Sequence, residues 1–329
     1  VKIIVPLAGK GTRLLPLTKR VPKPLVKVAG RPVMDYVMDA VRNFDIDELI
    51  VITGHLKEQV EHYIRTHYKV RARFVEQKQL DGTAGAVDLA RPYVDQDVLI
   101  IFVDTLFDAD LSPINTSKAD AIIWVKEVED YKRFGVIVTD EHGYMQRIVE
   151  KPDTPVSRLA NIGLHYVRDW RALFDGIDYV RTRPAGKGGE FYLTDAFQYM
   201  VDHGRKILAA PVSGWYDCGK LDTLLATNRH LLEHGSARQP ANPGVRVTLL
   251  PPVYIEEGVA LKDCRIGPNV TIEAGSVIAD SRIQNSILGR DVRIAQSTVK
   301  NALIGDGQAL QGRTIESVVI DAGEEASAG

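Results

Sequence analysis

Beyond residue 265, aliphatic residues return every six positions: Ile266, Ile272 and Ile278, then Leu288 and Ile294, then Ile304 and Leu310. Glycines punctuate the chain after the 236–246 region at Gly258, Gly267, Gly275, Gly289, Gly305 and Gly307. Six is neither the 3.6 period of a helix nor the two-residue alternation of an ordinary strand. It fits a hexapeptide parallel β-helix, where each hexad forms one side of a triangular coil. At about 18 residues per coil, residues 247–321 are expected to make roughly four coils. The small, proline-containing stretch before them reads as a linker over 236–246. The Ala/Gly/Glu-rich end, 322–329, is expected to fray.

Residues 1–235 have a different texture. VKIIVP, LIVIT and VLIIFV are almost wholly apolar, as parallel strands covered on both faces must be. Helical patterns lie between them, at Val33–Val41, Lys57–His67 and from Thr83. This alternation predicts a doubly wound, Rossmann-like α/β sheet, whose ligands sit beyond the carboxyl ends of the strands. Residues 121–218 mix further strands and helices and read as an insertion walling a cleft. A chain of 329 residues has room for both parts.

Lys plus Arg number 41 against 43 Asp plus Glu, so a nucleic-acid coat is not expected. Cys218 and Cys264 are too few for a disulfide scaffold or a four-cysteine zinc site. The opening apolar run ends at Ala8, short of a secretory leader, and no stretch approaches a membrane span. The expectation is a soluble cytoplasmic protein without membrane or nucleic-acid partners. Basic residues nonetheless crowd the first 34 positions, eight of them with no acid before Asp35.

That crowding centres on LAGKGTRLLPLT, residues 7–18, directly after the first strand. A dinucleotide fingerprint would need glycine where Leu14 stands, and a Walker loop would need Lys-Ser/Thr where Thr12–Arg13 follows Gly11. What remains is a glycine loop whose amides can wrap a nucleotide, at Leu7, Ala8, Gly9, Gly11 and Thr12. Arg13 and Lys23 supply a bidentate and a mobile cation for phosphate.

The segments GKGTRLLPLT and PKPLVKVAGRPV resemble the sugar-1-phosphate nucleotidyltransferases, or nucleoside-diphosphate-sugar pyrophosphorylases, through the first 235 residues. Within that family the chain is most similar to long-form glucose-1-phosphate thymidylyl- and uridylyltransferases with a C-terminal left-handed β-helix. It departs from the family in Ala8 for a second loop glycine, Val103 for the glycine before Asp104, and Gly188 where some relatives have arginine. The resemblance implies a base-binding segment at Gln77, Gly82 and Thr83, with Gln77 offering donor and acceptor to uracil or thymine. It implies a Mg²⁺ site at Asp104 and Asp217. It also implies a sugar-phosphate pocket from Gly135, Glu150, Lys151, Asn161, Gly163 and Glu190, with Thr194 or Asp195 a helix cap.

The reaction implied is in-line attack by a sugar 1-phosphate on the α-phosphorus of dTTP or UTP, with glucose 1-phosphate favoured and Arg13, Lys23 and Lys151 neutralising charge. N-acetylglucosamine-1-phosphate uridylyl transfer and mannose-1-phosphate guanylyl transfer are the alternatives. A second, acetyl-transferring site would want a histidine base, and the last histidine is His234, ahead of the coils. A silent nucleotide-sugar-binding scaffold would be expected to lose Arg13, Lys23, Asp104, Lys151 or Asp217, and all are present. A homo-oligomer is expected through the coil faces.

Overall fold

The computed structural model describes residues 1–327; Ala328 and Gly329 lie outside them. The chain packs as two compact units. One joins Val1–Gly9 to Val37–Trp215, and the other joins Lys10–Tyr36 to the chain from Tyr216 onward. Residues 10–36, which a linear division leaves with the sheet, therefore pack with the coils.

The first unit is built on a mixed sheet of nine strands among the described residues. They are β1 (Lys2–Pro6), β2 (Glu48–Thr53), β3 (Ala72–Glu76), β4 (Val98–Ile101), β5 (Ala121–Glu127), β6 (Gly135–Thr139), β7 (Met145–Glu150), β8 (Leu159–Val167) and β9 (Ile207–Pro211). The order β7-β6-β8-β4-β1-β2-β3 has β1 to β4 parallel, with β5 pairing against β8 and β9 against β5. Ile4 pairs with Ile50 on one side and Ile100 on the other, so the most apolar strands lie at the centre. Helices α1 (Lys57–His67), α2 (Thr83–Asp88), α3 (Trp170–Arg181) and α4 (Leu193–Asp202) connect them. Val87, Phe174, Ile177, Phe197 and Met200 pack into the core with those isoleucines.

Helix α3 is absent from the sequence expectation. Its signal is local: Asp169 accepts the Ala172 N–H as an N-cap, and Leu173, Ile177 and Val180 recur on one buried face.

In the second unit three parallel sheets stack as a left-handed β-helix. Three inward ladders fill it: Leu249, Ile266, Ile283, Val299 and Ile315; Ile255, Ile272, Leu288, Ile304 and Ile320; Leu261, Ile278, Ile294 and Leu310. The expected 18-residue coil is corrected here. Ile255 pairs with Ile272, 17 residues on, and Ile272 with Leu288, 16 on. The shortening occurs at the corners, where Asp263, Asp280 and Gln296 on one edge, and Asn269, Asn285, Asn301 and Ser317 on another, take left-handed backbone angles. Asn and Asp enter that region more readily than other side chains. Asn285 Nδ2 also donates to Asn301 Oδ1 at 2.7 Å, linking successive corners.

The expected fraying is corrected as well for the residues described: Glu324–Ser327 forms a strand antiparallel to Val318–Asp321. Arg313 holds it through two bonds to Glu325, at 2.9 and 2.6 Å.

The segment 10–36 is fastened to these coils. Lys27 pairs with the buried Glu273, and Arg20 with the buried Asp321 at 3.3 Å. From α5 (Leu221–Leu231), Asn228 Oδ1 accepts both the Ala29 N–H at 2.9 Å and the Thr271 hydroxyl at 2.7 Å. Among the described residues no helix is long and apolar enough to cross a membrane.

Candidate functional site

In the first unit, several candidates lie beyond the carboxyl ends of parallel strands, the ligand-facing edge of such sheets. Leu7, Ala8 and Gly9 follow β1, Gln77 follows β3, and Asp104 occupies the turn between β4 and Thr105–Asp108. The Leu7 N–H donates to Ile52 O at 2.7 Å, extending the sheet, so that amide is committed to the fold.

Gln77 is 7% exposed. Its Nε2 donates to Asp81 Oδ1 at 3.0 Å and to the Gly82 carbonyl at 3.2 Å. The expectation that this side chain offers a donor as well as an acceptor to a base is therefore revised: both amide hydrogens have protein acceptors. Gly82 has a φ of +107° and abuts the Phe191 backbone so closely that a Cβ would collide with it. Thr83 Oγ1 accepts the Leu193 N–H at 2.9 Å, tying α2 to α4.

Gly135 and Glu150 face each other on the antiparallel pair β6 and β7. A Cβ on Gly135 would stand 2.8 Å from Glu150 Oε2 and 2.9 Å from Thr194 Cγ2. The glycine makes room for the carboxylate, which accepts the Thr194 hydroxyl at 3.1 Å and lies 3.6 Å from Lys151 Nζ. Burial pushes the Glu150 carboxyl above its usual range, opposed by Lys151 and Thr194. Thr194 and Asp195 sit inside the first turn of α4, whose N-cap is Tyr192, so neither is the cap expected. Lys151 takes a left-handed φ of 43° and sets its ammonium 4.8 Å from the centre of the Tyr192 ring. Glu150, Lys151, Tyr192 and Asp195 line a cleft of about 620 Å³ with Arg147, Gln198 and Asp202.

Asn161 and Gly163 fall on a bulge of β8, where the register against β5 slips between Asn161 and His165. Asn161 Oδ1 accepts the Gly163 N–H at 2.9 Å and lies 2.8 Å from His165 Nε2. Glu190 lies in the approach to α4, its carbonyl accepting the Gly186 N–H at 2.9 Å.

Gly11, Thr12, Arg13, Lys23 and Asp217 belong to the second unit. Gly11 has a φ of +64°, and its carbonyl accepts the Thr18 hydroxyl at 2.9 Å. A Cβ there would lie 3.3 Å from that of Lys23. Asp217 Oδ1 accepts the Gly219 N–H at 2.6 Å. A Cβ on Gly219 would be 2.8 Å from that oxygen and 3.3 Å from Arg13 Nη2, so Arg13 and Asp217 flank one glycine. Thr18, Asp81, His165, Thr194 and Gly219 also shape these sites, though none is among the site residues expected from the sequence. Thr194 meets Glu150, 44 positions away, and Gly219 acts through a missing side chain, whereas Thr18, Asp81 and His165 meet partners 7, 4 and 4 positions back.

A sheet with loops of this kind at its carboxyl edge, followed by parallel coils, defines a class of nucleotide-handling α/β protein. The nucleotidyl transferase family matches residues 2–234, and the chain belongs to it. It is 32% identical to the bifunctional protein GlmU of Methanococcus aeolicus, over 79% of this chain and 61% of that one. It is 31% identical to the UTP–glucose-1-phosphate uridylyltransferase AglF of Haloferax volcanii, over 64% of this chain and 88% of that one. With the glucose-1-phosphate thymidylyltransferase of Streptomyces griseus identity is 27%, over 90% and 82%. A UDP-glucose pyrophosphorylase solved with UDP-glucose superposes with a TM-score of 0.64 at 25% identity, covering 71% of this chain and 98% of that one. The chain spans about three fifths of the GlmU length it matches.

Proposed function

We propose that this chain transfers the nucleotidyl group of UTP or dTTP to a sugar 1-phosphate, glucose 1-phosphate first among them, with pyrophosphate leaving. Beyond family membership, one observation carries the reading. Within a single unit, Lys23 packs on the left-handed Gly11 of a glycine loop, and Arg13 of that loop flanks Gly219 together with Asp217. Two cations carried by one segment suit a polyphosphate, guanidinium for fixed geometry and ammonium for reach.

The attacking phosphate oxygen is already an anion, so the reaction needs positioning and charge neutralisation more than a general base. Arg13 neutralises charge developing toward pyrophosphate, Lys23 holds the α-phosphate, and Lys151 holds the incoming sugar phosphate. Glu150 and Asn161 bond sugar hydroxyls, and the loop amides with Gln77, Gly82 and Thr83 hold the nucleotide. Asp104 and Asp217 are the carboxylates proposed for Mg²⁺. The described residues contain no cluster of three or more His, Cys, Asp or Glu able to hold a metal alone. Carboxylate oxygens are the hard donors Mg²⁺ takes, and it needs only one or two of them beside phosphate oxygens and water. When bound, that ion supplies further neutralisation of phosphate charge.

The test is pyrophosphate release with Mg²⁺, four nucleoside triphosphates being crossed with four sugar 1-phosphates, N-acetylglucosamine and mannose forms included. UTP or dTTP with glucose 1-phosphate is expected to turn over fastest. No release from any pair would favour a binding protein without turnover.

A further inference from the structure

The amide of Gln77 is held in one orientation, and the residue holding it is Asp81. An ionised carboxylate and a peptide carbonyl only accept hydrogen bonds, and Gln77 faces both, Asp81 Oδ1 at 3.0 Å and Gly82 O at 3.2 Å. Turning the amide over would set its oxygen against two oxygens. Asp81 is itself constrained. Its side chain is 13% exposed, and Arg181 Nη2 lies 3.7 Å from Oδ2. Gly85 leaves the space its carboxylate fills, since a Cβ there would collide with Asp81 Oδ1.

With both amide hydrogens spent, Oε1 is the only hydrogen-bonding atom the side chain has left. We propose that Asp81 is a specificity-determining positioning residue: by fixing the Gln77 amide it makes the base-reading atom a pure acceptor. Such an atom pairs with the imide N3–H of uracil or thymine. Cytosine has a bare N3 acceptor at that place, so two lone pairs would meet. This rests on the assignment of Gln77 to the base in the proposed function, and it extends that assignment from the residue to the atom. Asp81 touches no substrate in this scheme and acts through Gln77 alone.

The experiment measures kcat/KM for UTP and CTP with a fixed sugar 1-phosphate in the wild type, Asp81→Asn and Gly85→Ala. Asparagine keeps the shape but can present a donor, which removes one of the two oxygens that oppose turning the Gln77 donor toward cytosine. Alanine at 85 displaces the carboxylate while favouring the helix, so the two variants perturb the contact by separate routes. The UTP-to-CTP ratio is expected to fall by roughly tenfold or more in both, with KM for the sugar phosphate unchanged. A third protein, Gln77→Met, removes the amide. In that background Asp81→Asn is expected to leave the ratio unaltered, whereas a purely structural aspartate would lower both nucleotide rates alike in either background. Wild-type turnover with a ratio untouched by Asp81→Asn and Gly85→Ala overturns this proposal alone. Absence of wild-type turnover overturns the proposed function and this inference with it.

Discussion

His165 Nε2 lies 2.8 Å from Asn161 Oδ1, and the imidazole behind it is 1% exposed. Burial depresses its pKa to about 3, so the ring is neutral and Nε2–H donates to the amide oxygen. Nδ1, on the far side, is buried without a hydrogen-bond partner. Because Gly163 N–H takes the same oxygen, Asn161 is oriented with its NH₂ group outside both contacts.

Replacing His165 with phenylalanine keeps the ring among Phe102 and Phe197 but deletes the donor. KM for the sugar 1-phosphate is expected to rise about tenfold, the worth of one buried hydrogen bond. KM for the nucleotide should stay put. Equal changes in both constants would mean that His165 serves the fold rather than Asn161.

The same residue links stability to pH. Unfolded, it takes up a proton below its ordinary 6.5; folded, it does not until about 3. The unfolded state therefore binds more protons in that window, and stability falls as pH drops through it. Between pH 6.5 and 5 the loss is on the order of 2 kcal/mol. Thermal melts at the two pH values should show a smaller acid-induced drop for His165→Phe than for the wild type.

Gly135→Ala would drive a methyl into Glu150 Oε2 and Thr194 Cγ2. We expect kcat/KM for the sugar phosphate to fall by about 10²-fold, with circular dichroism unchanged. Thr194→Val, which removes the hydroxyl from Glu150, should raise that carboxyl further. As pH falls, KM for the sugar phosphate should then begin to rise at a higher pH than in the wild type. Coincident KM–pH profiles would separate Glu150 from sugar binding.

Arg13→Ala is expected to cost about 10²–10³ in kcat, the usual loss for one charge-stabilising group, with the melting temperature nearly unchanged. Near-normal turnover would remove Arg13 from the mechanism.

Glu273→Gln breaks the pairing of a buried carboxylate with Lys27, which Arg290 also approaches at 3.5 Å. Burial raises the Glu273 carboxyl and Lys27 opposes it. Neutralising it should loosen the segment carrying Arg13 and Lys23. Faster hydrogen exchange within residues 10–36 is the readout, and unaltered exchange would show that the other contacts suffice.

Much of the candidate site is drawn from local motifs. The glycine loop directly after β1, the Glu-Lys-Pro run ending β7 and the Asp after β4 are contiguous motifs, and contiguity is what a sequence displays. Their partners are not contiguous. Thr194 reads as a helix cap until the fold sets its hydroxyl against Glu150, 44 positions away. Asp81 lies between Gln77 and Gly82 of the expected base-binding segment, but the bond it accepts from Gln77, 4 positions back, exists only once that segment is folded.

The amino-acid order alone determined that the first part is an α/β sheet and the second a stack of coils, because burial periodicity is a property of neighbours along the chain. The coil length it could only approximate, since left-handed corners at Asn and Asp shorten some hexads by one residue. Only the tertiary structure decided that the loop bearing Arg13 is fastened to the coils. That attachment rests on Lys27 meeting Glu273 and Arg20 meeting Asp321, charges 246 and 301 residues apart. Pairing over such distances depends on where each side chain ends up in space, which no local pattern records.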